Sequence, residues 1–222
     1  MLLIDCGTDV LFEEALRWQR LLVEARTADL IDDVVLMLTH DRVYTAGRRA
    51  DVEQHVCDPG DIRVVRIERG GDVTYHGPGQ VVLYPITLLP HAKAVRPYVQ
   101  ALEAACIATA ATFGITAQAD RTRTGVWVGD DKLAAIGIKL DGRVTSHGLA
   151  FNVDPDLADF AGIVPCGLHD AGVCSLASLG VDAEVRDVGG RIAAHLAQTL
   201  TAPLQVVRPS DVGLTTGATL PT

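Results

Sequence analysis

Between two apolar, strand-like runs, Ile62 to Ile67 and Val81 to Pro85, the chain reads Arg69-Gly-Gly-Asp-Val-Thr-Tyr-His-Gly-Pro-Gly-Gln80. Four glycines and a proline within these twelve residues rule out a continuous helix and demand a tight connection between strands. Gly70-Gly71 lets the backbone reach positive φ and lets another group approach the main chain closely. Arg69 brings a fixed cation, and His76 a hydrogen-bond donor or a base. An ordinary glycine-rich hairpin has little use for Arg, Tyr, His and Gln together. The run therefore reads as a binding loop presented by a rigid scaffold.

The rest of the chain supplies that scaffold. Leu2 to Cys6 reads as a short strand, and Leu11 to Arg26 as a helix, with Leu11, Ala15, Trp18, Leu22 and Ala25 at three- and four-residue steps. Val34 to Leu38 is an apolar run of strand length, and residues 39–61 read as loop around Gly47, Pro59 and Gly60. Pro97 suits the first turn of a helix that runs to Phe113 and stops at Gly114. Strands over Gly125 to Val128, Lys132 to Leu140 and Val144 to Val153 are joined at Gly129-Asp130-Asp131 and Asp141-Gly142, which is hairpin chemistry. Residues 154–174 read as irregular, Ala183 to Leu200 as a helix weakened at Gly189-Gly190, and Thr201 to Val207 as a last strand. Tight turns demand antiparallel neighbours, so the class is α+β, a mostly antiparallel or mixed central sheet with flanking helices. One domain over 1–208 and a disordered tail over 209–222 are expected.

At 222 residues and 48% hydrophobic, the chain can bury a full core. Its net charge of −9 argues against non-specific nucleic-acid binding. No apolar run reaches the ~20 residues of a membrane span, and the first ten residues carry Asp5 and Asp9 without a basic segment, which predicts no signal peptide. Five cysteines without a CxxC pair fit a reducing cytoplasm.

Two residues stand out for chemistry. Cys166 lies in Gly162-Ile-Val-Pro-Cys-Gly-Leu168, where a thiol beside glycine is accessible to a nucleophile's role; a small buried residue is the plainer reading. Lys132 opens an apolar strand, where loss of hydration lowers a lysine pKa and lets it promote a thiolate; a solvated lysine beside Asp130 and Asp131 is the alternative. Cys6, Cys57 and Cys106 read as structural, and the spacing of Cys166, His169 and Cys174 fits no zinc pattern, so neither metal nor cofactor is expected. Ala135, Gly137, Gly148 and Ala150 are small residues on adjacent strands; they either leave an apolar slot for an alkyl chain or simply pack tightly under a helix.

Arg69 to Gln80, Lys132-Leu-Ala-Ala-Ile-Gly137, His147-Gly-Leu-Ala-Phe-Asn152 and Pro165-Cys-Gly167, in this order and spacing, resemble the lipoyl(octanoyl) transferase family. A looser likeness covers Val43 to Gly47, and the whole runs from about Leu11 to Leu200; Asp41-Arg42 stands where the family commonly has a proline. The resemblance implies a fold similar to biotin and lipoate protein ligase catalytic domains. It implies a cytoplasmic enzyme that moves an octanoyl group from octanoyl-acyl carrier protein to a lysine. The acceptors implied are lipoyl domains of 2-oxoacid dehydrogenase E2 subunits and the glycine cleavage H protein, with no nucleic-acid or membrane partner. It further implies Cys166 as the acyl-thioester nucleophile and Lys132 as the residue that lowers its pKa. Substrate contacts are implied at Arg69, Gly70, Gly71, Asp72, Val73, Thr74, Tyr75, His76, Ala135, Ile136, Gly137, Gly148, Leu149 and Ala150. An ATP-dependent lipoate ligase is the nearest rival, and it has no need of the thiol in Pro165-Cys166-Gly167. Arg42, Arg48, Arg49, Arg63, Arg66 and Arg69 gather around the glycine run, and either dock an acidic carrier or are scattered and solvated.

Overall fold

The computed structural model describes residues 1–164, 172–212 and 214. In chain order the strands and helices are β1 (Leu2–Asp5), α1 (Phe12–Thr27), β2 (Val34–Leu38), β3 (Val43–Ala46), α2 (Val52–His55), β4 (Arg63–Arg66), β5 (Val73–His76) and β6 (Gln80–Ile86). Then follow α3 (Val95–Thr112), β7 (Gln118–Ala119), β8 (Val126–Val128), β9 (Asp131–Asp141), β10 (Val144–Asn152), β11 (Gly172–Val173), α4 (Val185–Thr199) and β12 (Gln205–Val207). A large sheet runs β12-β1-β2-β6-β10-β9-β8-β7, with β11 added beside β9, and a second sheet runs β4-β3-β5.

The hairpins read from the sequence are present: β8, β9 and β10 pair antiparallel through the two predicted turns, and β10 pairs antiparallel with β6. The sheet is mixed because β1 lies parallel to both β2 and β12, and β11 parallel to β9. Two parts of the reading differ from the structure. Residues 39–61 contain β3 and α2, and the second half of the glycine run is a strand, β5, antiparallel to β3. Val73, Thr74, Tyr75 and His76 are strand formers or tolerated in strands, and all four are buried.

The large sheet is covered on both faces, which explains its apolar, non-alternating strands. Val35 and Met37 of β2, Val81 and Leu83 of β6, and Leu149 and Phe151 of β10 face the layer made by α3 and α4. The alternate residues, Leu36 and Leu38, Val82 and Tyr84, and Ala150, face α1. Phe12, Ala15, Trp18, Gln19 and Leu22 form the buried stripe of α1, and Glu13 and Glu14 in its first turn sit favourably at the positive end of the helix dipole. The small sheet has its own cluster around Tyr44, Val73, Tyr75, Phe160 and Ile163. Past β12, Pro209–Val212 make a 3-10 turn and Leu214 is buried against the α1 side; residues 213 and 215–222 lie outside the described residues.

Candidate active site

The face of the large sheet that carries Tyr84 and Ala150 continues past the end of α1 and meets the glycine run. There Ala135 lies opposite Ala150 and Gly137 opposite Gly148, two cross-strand pairs of small residues in register on β9 and β10. They form the floor of a narrow slot roofed by Arg69, Thr74 and His76 and closed by Phe12 and Tyr84. A recess therefore lies over these four small residues. The glycines have separate reasons to be there. A Cβ on Gly137 would sit 2.9 Å from the Gly70 carbonyl and 3.1 Å from Arg69 Cδ, so Gly137 is the surface on which the glycine run rests. A Cβ on Gly148 would instead run into the Leu83 carbonyl, a demand of the β6 contact rather than of the slot.

Arg69 is a built part of this roof. Its guanidinium donates to the Thr45 carbonyl at 2.8 Å and hydroxyl at 3.0 Å, and to its neighbour's carbonyl, Gly70, at 3.0 Å. Gly70 N–H donates to the Ile138 carbonyl at 2.9 Å, and Gly71 adopts φ +92°, the left-handed region that glycine tolerates best. Asp72 takes up the His55 ring at 2.9 Å and the Val73 N–H at 2.7 Å, which fixes the corner between loop and β5.

Two imidazoles, His76 and His147, line the slot, and a third, His40, packs behind His76 and Tyr84; burial keeps all of them neutral. Desolvation lowers His40 to about 4 and His147 to about 3, and takes His76 well below the ordinary histidine range, helped by the Arg69 cation in the last two cases. His40 Nδ1 stands 2.8 Å from the Val10 carbonyl and its Nε2 2.7 Å from the Tyr84 hydroxyl. His147 sits at φ +56° and donates its backbone N–H to Gln19 Oε1 at 2.7 Å, which ties β10 to α1.

Gly71, Asp72, Ile136 and Gly137 are shared with a second recess, a cleft of about 650 Å³ on the β9 side. That size lies in the range of small-molecule sites. Lys132 lines it, as do Gly70, Arg49, Arg123, Thr122 and Thr124. Lys132 is 5% exposed, so it is not the solvated turn lysine that Asp130 and Asp131 suggested. Its Nζ stands 4.6 Å from the Trp127 ring centroid, and the Arg123 guanidinium 4.3 Å from the same ring, held by Asp120 at 2.7 Å.

Cys166 lies outside the described residues. The described residues on either side are anchored next to the cleft: Val164 N–H donates to the His55 carbonyl at 2.9 Å, while Gly172 and Val173 pair with Asp131 and Lys132. Three of the described cysteines are poor thiolates. Burial pushes Cys6 and Cys174 up to about 12, with nearby carboxylates adding to it, and pushes Cys106 up further. Among the described residues, no group of three His, Cys, Asp or Glu side chains could hold a metal ion.

Of the substrate contacts implied by resemblance, Arg69, Gly71 to Thr74, His76, Ala135 to Gly137 and Gly148 to Ala150 line the slot, and Gly70 lines the cleft. Tyr75 lines neither recess. The two-residue period of β5 turns it into the small-sheet cluster, where its hydroxyl donates to Asp159 at 2.6 Å. Phe12 and Tyr84 were not singled out from sequence, and His147 entered only as the first residue of a motif: Phe12 looks like any helix-face apolar residue, and Tyr84 stands in an unbroken apolar strand. The arginine cluster is divided. Arg42 is paired with Asp159 and Asp61, Arg63 with Glu13 and Asp41, and Arg69 is built into the roof, which leaves Arg48, Arg49 and Arg66 outside these contacts.

Residues 12–197 match the family model described as "Lipoyl protein ligase A/B catalytic domain". The chain is 47% identical over 169 residues to the octanoyltransferase of Gloeobacter violaceus, covering 75% of this chain and 76% of that one. It is 42% identical over 206 residues to the octanoyltransferase of Acidothermus cellulolyticus, covering 90% of each. Among solved structures, a bi-partite lipoate protein ligase from Thermoplasma acidophilum superposes with TM-score 0.71 at 15% identity, over 93% of this chain and 86% of that one. A biotin protein ligase from Aquifex aeolicus does so with TM-score 0.53 at 11% identity, over 90% and 69%. The chain belongs to the lipoyl protein ligase A/B catalytic domain family.

Proposed function

We propose that this chain is an octanoyltransferase that moves an octanoyl group from octanoyl-acyl carrier protein to a lysine on lipoyl domains of 2-oxoacid dehydrogenase E2 subunits and on the glycine cleavage H protein. The observation that carries the reading is the continuity of a narrow slot with a roomy polar cleft at Gly71, Asp72, Ile136 and Gly137, beside a buried lysine. The slot suits an unbranched acyl chain. The cleft suits, in turn, the arm that carries the donor thioester and the side chain of the acceptor lysine.

In this scheme the Cys166 thiolate attacks the donor thioester carbonyl, the carrier thiolate leaves and takes up the proton, and the acyl group rests on Cys166. The acceptor amine then attacks that thioester, loses a proton, and the Cys166 sulfur departs. Exchange of the acyl group onto Cys166 is near balance, and amide formation from the thioester runs downhill, so no nucleotide is consumed. Lys132 favours the thiolate either as a fixed cation or as a base. Octanoyltransferases of 42% and 47% identity over most of the chain support the activity. No described helix is long and apolar enough to cross a membrane, which is compatible with a cytoplasmic enzyme.

The test is an intact mass after mixing with octanoyl-acyl carrier protein. A rise by one octanoyl group, absent in Cys166→Ser, is expected. Full transfer by Cys166→Ala, or pyrophosphate exchange with ATP, would replace this reading with that of a nucleotide-dependent ligase.

A further inference from the structure

Below the slot a line of buried side chains runs from the glycine run to the strand that carries Lys132. His76 Nδ1 stands 2.8 Å from Gln80 Oε1, Gln80 Nε2 donates to Asn152 Oδ1 at 2.9 Å, and Asn152 Nδ2 donates to the carbonyls of Cys174 at 2.9 Å and Lys132 at 3.4 Å. The three side chains, His76, Gln80 and Asn152, are 6%, 1% and 4% exposed, so water does not compete for these bonds.

The direction of every bond follows from its last member. A main-chain carbonyl only accepts, so the Asn152 amide nitrogen must face Lys132 and Cys174, and its oxygen must face Gln80. Gln80 then turns its own NH₂ to Asn152 and its oxygen to His76. That oxygen only accepts, so His76 Nδ1 carries the proton. The ring is neutral, which leaves Nε2 with a bare lone pair. His40 obeys the same rule: the Val10 carbonyl fixes its proton on Nδ1, and Nε2 accepts from Tyr84.

Asn152 also closes a clamp. The Lys132 carbonyl receives the Cys174 N–H at 3.1 Å, where β11 leaves β9, and the Asn152 amide bridges the carbonyls on both sides of that junction. β11 comprises only two residues, Gly172 and Val173, so its own ladder holds the register weakly. The Asn152 bridge fixes Cys174, at the exit of β11, against Lys132.

We propose that Asn152 and Gln80 are positioning residues with separable tasks. Asn152 clamps β11 to the Lys132 strand. Gln80 relays that fixed orientation to His76 and holds it as the Nδ1–H tautomer, so the slot wall shows a hydrogen-bond acceptor and no donor at this ring. It follows that His76 does not stabilise an oxyanion. The clamp's bearing on acyl transfer rests on the Cys166 and Lys132 reading above; the tautomer does not.

The test uses the full chain labelled with ¹⁵N-histidine, together with the pH profile of Cys166 alkylation. In the parent, His76 should show a protonated Nδ1 and a pyridine-type Nε2 near neutral pH, the reverse of free histidine's preference. Gln80→Leu, close to volume-conserving, should release the tautomer and leave the alkylation profile where it was, because Asn152 still reaches both carbonyls. Asn152→Ala should change both, with thioester formation slowed ~10-fold or more. A parent His76 protonated at Nε2 overturns the relay, and so does an unmoved tautomer in Gln80→Leu. An unmoved alkylation profile in Asn152→Ala overturns the clamp. If Asn152→Ala does not fold, Asn152→Ser carries the same two readouts. A parent enzyme whose Cys166 never forms a thioester removes the functional reading and leaves the tautomer result standing.

Discussion

Lys132 and Arg123 share one aromatic ring: their cationic groups stand 4.6 Å and 4.3 Å from the centroid of Trp127. Two like charges converge because the ring's negative face attracts both, and Asp120 neutralises the arginine at 2.7 Å. Trp127 is almost fully buried, so its orientation is fixed and the lysine is held at the cleft wall with little freedom. Replacing Trp127 by leucine should loosen Lys132 at a cost of about 1–2 kcal/mol, the range of a desolvated cation–π contact. The rate of thioester formation should fall several-fold, and the alkylation profile of Cys166 should move to higher pH. Lys132→Ala should move it further. Lys132→Arg separates charge from base, since arginine keeps the first and cannot act as the second. An alkylation profile in Lys132→Ala that overlays the parent would sink the coupling.

The slot floor sets how much chain fits. Ala135 and Ala150 face each other across β9 and β10 and line the slot beneath the glycine run. Ala150→Val should shorten the preferred acyl group, favouring hexanoyl or butanoyl donors over octanoyl. Each methylene excluded corresponds to about 0.8 kcal/mol of lost burial, roughly a factor of four in kcat/KM. Competition between donors of different length reads this directly. An unaltered preference would place the acyl chain elsewhere.

Much of this arrangement was legible in the sequence, for identifiable reasons. The hairpins at Gly129-Asp130-Asp131 and Asp141-Gly142 carry their turn chemistry locally, and α1 declares itself by its apolar stripe. The strand β3 does not: its four residues are buried on both faces between β4 and β5, so no alternation marks it, and its partners are distant in the chain. β5 was hidden because glycines on either side made the whole run read as loop. The parallel pairing of β1 with β2 and β12 is set by long-range packing, and no turn residue announces it. Lys132 was visible as a strand-opening lysine, but its burial depends on Trp127 and β11. The Asn152 relay joins residues 76, 80, 132, 152 and 174, whose proximity no local pattern encodes.

Gly79 should tolerate no side chain. It adopts φ +80°, and a Cβ there would overlap the Asp154 carbonyl, whose residue donates back to the Gly79 carbonyl at 2.9 Å. Gly79→Ala therefore combines backbone strain with a clash against main chain that cannot swing aside, and should cost about 2–4 kcal/mol. Gly142→Ala serves as the control: φ is +62°, yet nothing lies within 4 Å of its Cβ, so the loss should stay near 1 kcal/mol. Chemical denaturation of the two variants compares them, and equal losses would refute the close approach.

Stability should fall as the solution is acidified from pH 7 towards pH 4, earlier than carboxylates alone dictate. His40 has a folded value of about 4, against an ordinary histidine value near 6.5 when unfolded. Its depressed value means that the unfolded chain binds the extra proton first. The contribution is present in full above pH ~6.5, erodes as the pH falls, and is spent below pH ~4. His76 and His147 act in the same direction. His40 alone corresponds to about 3 kcal/mol over that window. The charges of Asp41, Arg63 and Glu13 also act on it and modulate the effect rather than reverse it. His40→Phe should flatten the melting temperature between pH 7 and pH 4; a slope identical to the parent's would assign the acid sensitivity to other groups.

The last prediction concerns the carrier. The chain's net charge is −9, so an acidic protein donor needs a local patch of opposite sign. With Arg42 and Arg63 taken up by ion pairs and Arg69 by the slot roof, Arg48 and Arg49 remain at the exposed edge of the glycine run, and Arg49 lines the cleft rim. Charge reversal at both positions should slow transfer from octanoyl-acyl carrier protein about tenfold or more at low ionic strength, with the gap closing as salt screens the encounter. Octanoyl-coenzyme A does not need the protein–protein contact, so its turnover should suffer much less. Apparent second-order rates for both donors at low and high salt make the comparison. An equal loss with both donors would point to damage in the cleft itself, and an unchanged rate and salt slope with the carrier would remove these arginines from the docking face.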